Sequence, residues 1–206
     1  LGFYLLEHHK PATMGTLNAA GKFQAAFFQS VTTRTAGFAS ISQSGLTNGS
    51  KLLASMLMII GGSPAGTAGG IKTTTVAVLL LTAISVLRGN KDTECYGRKI
   101  TFEIIRVGIT ITLVTFVFWL FGVTVMTVIE PQQKVLDLMF EATSAMATVG
   151  LTADLTPVLS DISHVVLMLM MYIGRIGPMT MALIFSGHAD KKNQFRTLPE
   201  AKIMVG

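Results

Sequence analysis

Residues 107–129 limit the fold of this chain more than any other segment, because they run for 23 positions without a charged side chain. As a helix they would extend about 35 Å, at about 1.5 Å per residue, which is enough to cross the hydrocarbon core of a bilayer. Only 13% of the residues are charged and the mean hydropathy is +0.58. A soluble domain needs more charge on its surface, so the sequence predicts an all-α transmembrane protein.

The chain repeats itself at a constant offset of 113 residues. Each unit reads as an apolar span (M1), an amphipathic half-span (P), a turn of small residues and a second apolar span (M2). We expect residues 1–100 to form one such unit, with its M1 truncated, and residues 101–206 to form the next. The matched pairs include Phe27 with Phe140, Ser30 with Thr143, Thr35 with Thr148, Gly37 with Gly150, and Gly61 with Gly174.

The charges suggest how the units lie in the membrane. Lysine and arginine cluster in residues 88–106 and in the tail, whereas residues 129–162 hold one lysine against five acidic side chains. By the positive-inside rule, the linker 88–106 and the C-terminus are expected on the cytoplasmic side of the cell membrane. The half-spans would then be re-entrant pore helices that enter from the external face. Because the basic residues flank apolar spans, a nucleic-acid-binding surface is disfavoured.

The two small-residue turns are the candidate cation site, a filter for K⁺. Consecutive carbonyls can replace the hydration shell of an ion only where side chains turn away and a glycine supplies unusual dihedral angles. The second turn resembles the opening of the Thr-Val-Gly-Tyr-Gly loop of potassium channels. The filter residues are Thr35, Ala36 and Gly37 in the first turn, and Thr148, Val149 and Gly150 in the second.

These motifs resemble the Ktr/Trk/HKT superfamily of potassium transporters. The resemblance lies in residues 28–38, with Thr33-Arg34-Thr35-Ala36-Gly37-Phe38, in the glycine-rich residues 61–74, in residues 172–178 and in the ending 199–206. It implies four M1–P–M2 repeats in the complete membrane subunit, of which this chain holds the third and the fourth as a C-terminal half. It also implies a homodimer of membrane subunits in the lipid bilayer, docked on a cytosolic nucleotide-binding ring.

The glycine-rich segment interrupts the M2 span of the first unit. A kink or an external loop is one interpretation, and a phosphate-binding loop is disfavoured because Ile71 separates the glycine from Lys72. The resemblance implies instead a broken transmembrane helix whose unwound part gates the path below the filter, with Lys72 placing a positive charge across it. The predicted gate residues are Gly61, Gly62, Ser63, Gly66, Gly69, Gly70, Lys72 and Arg175.

Two arginines need an explanation inside an apolar chain. Arg34 stands beside the first turn and would block cations if it faced the pore, so we expect a brace paired with an acid such as Glu141 or Asp137. Arg175 lies within the predicted span 162–186. There it would either repel cations or hydrogen-bond the carbonyls of residues 61–72 and hold the segment shut.

The predicted function is uptake of potassium, through a filter that Ala36 in place of valine makes only pseudo-fourfold and less selective. A sodium-conducting or weakly selective transporter, and a non-conducting membrane scaffold, are the alternatives. Sodium is a candidate coupling or activating ion, and no organic cofactor is expected in this subunit. The sequence contains no recognisable nucleophile–base pair, so we do not expect an enzyme. The spacing of the histidines and the single cysteine fits no transition-metal site.

Overall fold

A computed structural model describes residues 1–64, 68–90 and 92–177, and these residues are mostly helical, as the all-α prediction requires. The predicted gate residue Gly66, the last part of the predicted span 162–186 and the basic tail lie outside the described residues. The helices are α1 (Gly2–Glu7), α2 (Ala19–Thr32), α3 (Asn48–Ile59), α4 (Thr73–Leu87), α5 (Phe102–Ile129), α6 (Val135–Met146) and α7 (Asp161–Ile176), with a 3-10 turn at Thr156–Val158.

Helix α5 contains the uncharged stretch and, within the described part of the chain, is the one helix long and apolar enough to cross a membrane. Helix α4 is apolar but only 15 residues long. One face of α5 packs against the protein through Thr115, Gly122 and Met126. The rest of its surface is exposed and apolar, which suits a helix whose solvent is lipid.

The linker between α4 and α5 contains a small hairpin that the all-helical prediction did not include. Strand β1 (Glu94–Cys95) pairs with β2 (Arg98–Lys99) in antiparallel register. Tyr96 and Gly97 both have positive φ angles, 49° and 72°. Two consecutive residues in this region make the type I′ turn whose twist matches a hairpin.

The predicted M2 span of the first unit is broken. Helix α3 ends at Ile59 and α4 begins at Thr73, because the glycines and Pro64 between them are poor helix formers. The two helix ends are tied by backbone hydrogen bonds: Gly61 N donates to Ile71 O at 2.9 Å, and Ile71 N donates to Ile59 O at 2.9 Å. We call residues 59–62 together with 70–73 the neck.

Helices α3 and α7 begin in the same way at the 113-residue offset. The N-cap residues are Thr47 and Ser160, and their hydroxyls accept from the backbone N of Ser50 and Ser163, respectively. N-cap hydroxyls satisfy amides that a helix leaves unpaired at its start.

A glutamate reinforces each of these helix starts. The carboxylate of Glu7 accepts from Thr47 N, and that of Glu130 accepts from Ser160 N, both at 2.8 Å. Negative charge at a helix N-terminus is favourable. Hydrogen bonds from Ser160 and Ser163 hold the pKa of Glu130 below its ordinary value. These glutamates are not at the 113-residue offset, so the sequence repeat did not reveal them.

The two units are joined by an ion pair between a buried lysine and a partly buried aspartate. Lys51 of α3 is 6% exposed, and its Nζ lies 2.6 Å from a carboxylate oxygen of Asp137 in the first turn of α6. Phe140 and Met58 pack nearby in the apolar cluster that the units share. A charge in such surroundings is tolerated only with a partner.

This pair predicts a characteristic pattern of stabilities in the full-length protein. Asp137→Leu should lower stability by about 3 kcal/mol, because it leaves the Lys51 ammonium buried without a partner. Lys51→Met should cost less, because the Asp137 side chain is 21% exposed to solvent. The double variant should recover most of that loss, since neither charge remains. Thermal unfolding of the purified protein in detergent measures the effect. A double variant as unstable as the sum of the single ones would contradict the pairing.

Candidate functional site

The two predicted filter turns share an unusual backbone. Thr35 and Thr148 have φ angles of 68° and 53°, and Gly37 and Gly150 have φ angles of 76° and 89°. Positive φ is uncommon for a β-branched threonine and costs of order 1–3 kcal/mol. An alternation of positive and negative φ lets successive carbonyls point to one side of the strand, as cation coordination requires.

Each turn follows a short helix and is hydrogen-bonded to its C-terminal end. After α2, the amides of Ala36 and Gly37 both donate to Thr32 O at 3.2 Å. After α6, the amide of Val149 donates to Ser144 O at 2.9 Å. A helix C-terminus carries partial negative charge, so both helices end where a cation would be stabilised.

The two turns lie against each other. A Cβ built on Gly37 would be 2.1 Å from the carbonyl oxygen of Val149, so only glycine fits there. A Cβ on Gly150 would meet nothing within 4 Å, and this position favours glycine through its φ angle alone. The sequence predicted both glycines, but the two have different reasons.

Buried polar side chains behind the first turn fasten it to its helix. Gln29 and Gln43 are almost fully buried and exchange hydrogen bonds at 2.7 and 3.1 Å. This amide pair connects α2 with the residues that follow the turn. Sequence reasoning missed it because nothing in the pattern distinguishes two buried glutamines from two exposed ones.

The second turn has a different brace at the same position. The carboxylate of Glu141 accepts from the hydroxyls of Thr152 and Thr156 at 2.5 and 2.9 Å. It also accepts from Ala153 N at 2.9 Å. Thr156 lies 113 residues after Gln43, so each turn is tied to its helix from an equivalent site.

The described part of the glycine-rich segment contacts the second turn. Gly69 N donates to Thr148 Oγ1 at 3.1 Å, and a Cβ on Gly69 would lie 2.7 Å from Ala147 O. Gly61 is equally crowded, since its Cβ would be 2.0 Å from Gly69 O. Lys72 Nζ donates to Ala68 O at 2.5 Å, so its charge lies beside the segment's own backbone.

The remaining predicted gate residues are placed differently. Gly70 has a φ angle of 72° and a Cβ position 2.9 Å from Ile59 O, so it closes the neck. Gly62 O accepts from Thr73 N at 3.2 Å, and Ser63 is exposed.

Arg175 lies in the last turn of α7 and its side chain is exposed. The preceding Gly174 passes so close to the second turn that its Cβ would be 1.9 Å from Met146 O. Met146 is the last residue of α6. The backbone of α7 therefore packs on the base of the turn, while the role of the Arg175 side chain stays a prediction.

The expected acidic partner of Arg34 was wrong. Its guanidinium Nη1 donates to Ile60 O at 3.1 Å and to Gly61 O at 3.4 Å. Asp137 is taken by Lys51, and Glu141 is satisfied by threonine hydroxyls and a backbone amide. The carbonyls at the end of α3 lack helical partners, and a cation at a helix C-terminus satisfies them well.

An apolar cavity of about 240 Å³ lies beside the neck, between α5 and α6. Its walls include Ile71 of the neck, Phe116 and Trp119 of α5, and Met146 of α6. The indole N–H of Trp119 is already hydrogen-bonded, because it donates to Thr143 Oγ1 at 2.8 Å. Among the described residues no group of histidine, cysteine and acidic side chains could hold a metal ion.

Comparisons with known proteins show the family to which this chain is similar. Residues 3–196 match the family described as TrkH, cation transport protein. The chain is 36% identical over 206 residues to the Ktr system potassium uptake protein B of Bacillus subtilis and 38% identical over 204 residues to that of Vibrio alginolyticus.

A third relative, the potassium/sodium uptake protein NtpJ of Enterococcus hirae, is 37% identical over 183 residues. These alignments cover 100%, 99% and 87% of the chain but 45%, 44% and 41% of the relatives. The chain therefore spans less than half the length of these relatives.

Proposed function

The chain belongs to the TrkH family of cation transport proteins, and on that premise we propose that it supplies two strands of a potassium filter in a membrane uptake system. As a member of a transporter family, it is not an enzyme. The observation that carries the proposal is the pair of turns, with φ angles of 68° and 53° at Thr35 and Thr148 and of 76° and 89° at Gly37 and Gly150. Their contact, with Gly37 against the Val149 carbonyl, supports a shared ion path.

Potassium is the proposed cargo because two of the relatives are named as potassium uptake proteins. A sodium-conducting or weakly selective transporter is the second candidate, supported by the relative named as a potassium/sodium uptake protein. The unlike residues Ala36 and Val149 favour lower selectivity than a fourfold channel has. Sodium is also proposed as a coupling or activating ion.

Two turns do not close a ring of carbonyls. We propose that the rest of the full-length protein adds two more, so that residues 1–100 and 101–206 act as the third and fourth M1–P–M2 units. The half-length helices α2 and α6 would then be re-entrant, with the linker 88–106 and the C-terminus on the cytoplasmic side. A homodimer in the lipid bilayer and a cytosolic nucleotide-binding ring complete the proposed system.

The glycine-rich segment is the proposed gate. Its Gly69 amide reaches Thr148 Oγ1, at the first residue of the second turn, and Gly61 and Gly69 pack without room for a side chain. These contacts are one hydrogen bond and close packing, so the glycine-rich segment can separate from the second turn when the gate opens.

Filter glycines are tested by Gly37→Ser and Gly150→Ser in the full-length protein. Both should reduce the preference for potassium over sodium, with Gly37→Ser the more severe because its Cβ also meets the Val149 carbonyl. Membrane-potential-driven rubidium uptake into vesicles, with sodium as competitor, measures this preference.

Gly89→Ser is the matched control, because Gly89 has a φ angle of 71° but open space around it and lies outside both turns. It should keep the potassium preference of the unaltered protein. Unchanged preference in both filter variants would contradict the filter assignment. No driven uptake by the unaltered protein would favour the non-conducting scaffold.

The gate is tested by deletion of residues 63–68. The segment's ends can be joined, since Gly61 already lies against Gly69. Uptake should rise roughly tenfold, which corresponds to removal of about 1.4 kcal/mol of barrier, and should depend less on the cytosolic ring. A deletion that reaches the membrane and conducts at the original rate would rule out this gate.

Arg175 is tested by comparing its glutamine and lysine variants at matched surface expression. If the guanidinium holds the segment shut through hydrogen bonds, Arg175→Gln and Arg175→Lys should both raise the maximal rate of rubidium uptake. If only its charge matters, Arg175→Lys should match the unaltered protein while Arg175→Gln conducts faster. Unchanged rates in both variants would exclude Arg175 from gating.

A further inference from the structure

The neck contacts the first filter turn, and Gly69, the residue before the neck's second strand, contacts the second filter turn. Arg34, immediately before Thr35 in the first turn, donates to Ile60 O and Gly61 O. Thr148, the first residue of the second turn, accepts from Gly69 N. The glycine-rich segment is thus held against the same end of both turns.

The two attachments differ in kind. Arg34 lies 113 residues before Ala147, so the same position carries a long cation in one unit and a methyl group in the other. In the first unit the Arg34 side chain spans the distance between the turn and the neck. In the second unit no long side chain is present, and the backbone of Gly69 packs directly against the carbonyl of Ala147.

The Arg34 attachment carries a charge and makes two contacts, at 3.1 and 3.4 Å, and we expect it to be the stronger of the two. A guanidinium bound to carbonyls makes charge-assisted hydrogen bonds, which are about twice as strong as neutral ones. The carbonyls that it satisfies follow the end of α3, where a helix has unpaired acceptors and partial negative charge. Gly69 and Thr148 share one neutral hydrogen bond of 3.1 Å.

We propose that Arg34 is a positioning residue of the gate: it fixes the neck to the first turn, so that opening breaks the Gly69–Thr148 hydrogen bond while the neck stays in place. This inference rests on the gate proposed above. It assigns Arg34 to gating although the residue adjoins the filter in sequence. Loss of the guanidinium frees the neck, and the segment then leaves the path more often.

The test uses full-length protein in vesicles and two variants of Arg34. Arg34→Met keeps a side chain of similar length without a donor, and Arg34→Lys keeps the charge and a donor. Arg34→Met should raise the maximal rate of rubidium uptake about tenfold and leave the potassium-over-sodium preference unchanged. Arg34→Lys should stay within about threefold of the original rate, because it retains one charge-assisted bond. Arg106→Met, at an exposed arginine of α5, is the control and should change neither quantity.

The same Arg34 variants in the background lacking residues 63–68 separate gating from structure. With the obstruction removed, Arg34→Met should add no further increase in rate, because both changes release the same element. Equal effects in both backgrounds, or a loss of potassium preference, would overturn the inference and make Arg34 a structural part of the filter. If Arg34→Met does not reach the membrane, Arg34→Gln replaces it with the same expected direction, and an unchanged rate for that variant overturns the inference too.

The gate itself is judged independently in these measurements. If the deletion alone leaves the rate unchanged, the proposed gate is wrong whatever Arg34 does. If the deletion raises the rate but Arg34→Met does not, the gate stands and the role of Arg34 falls.

Discussion

The need to satisfy backbone polar groups away from water underlies every feature of this site. A chain that leaves the helical conformation within a membrane exposes amides and carbonyls that lipid cannot pair. Here the non-helical backbone is paired locally: Ala36 and Gly37 donate to Thr32 O, and Val149 donates to Ser144 O. In the proposed filter, the remaining carbonyls of the turns would coordinate the cation. Such a filter would consist of backbone whose carbonyl oxygens accept no hydrogen bond from the protein and bind the ion instead.

Close backbone approach is the second consequence, and it explains which glycines are indispensable. Gly37 lies against Val149 O, Gly61 against Gly69 O and Gly174 against Met146 O, each too near for a Cβ. Gly61 and Gly174 are equivalent at the 113-residue offset, yet they meet different partners. In the second unit Gly174 is still within helix α7, which packs on the base of its own turn. In the first unit the helix has broken, and the glycine receives the returning glycine-rich segment instead.

The sequence predicted the helical class, the position of α5, the break after α3 and the residues of both turns, because these depend on hydropathy and on glycine. It did not predict the links between distant parts of the chain. Lys51 is buried against Asp137, 86 residues later. Arg34 was expected to find an acid because charge pairing is the usual solution for a buried cation. Backbone carbonyls were the better partner here, and only the fold shows that α3 ends within reach.

A single shared ion path, as proposed above, would account for the likenesses and differences between the two units. Strands of the proposed filter would surround one axis and need a similar backbone, and Thr35 and Thr148 share their unusual φ. One ion path needs one obstruction, so in the proposed system one unit would be enough to supply the gate. The second unit is helical through residue 176, whereas the first is helical only to residue 59. The repeat is lost at Arg34 and Ala147, the two positions where the proposed gate would be held in different ways.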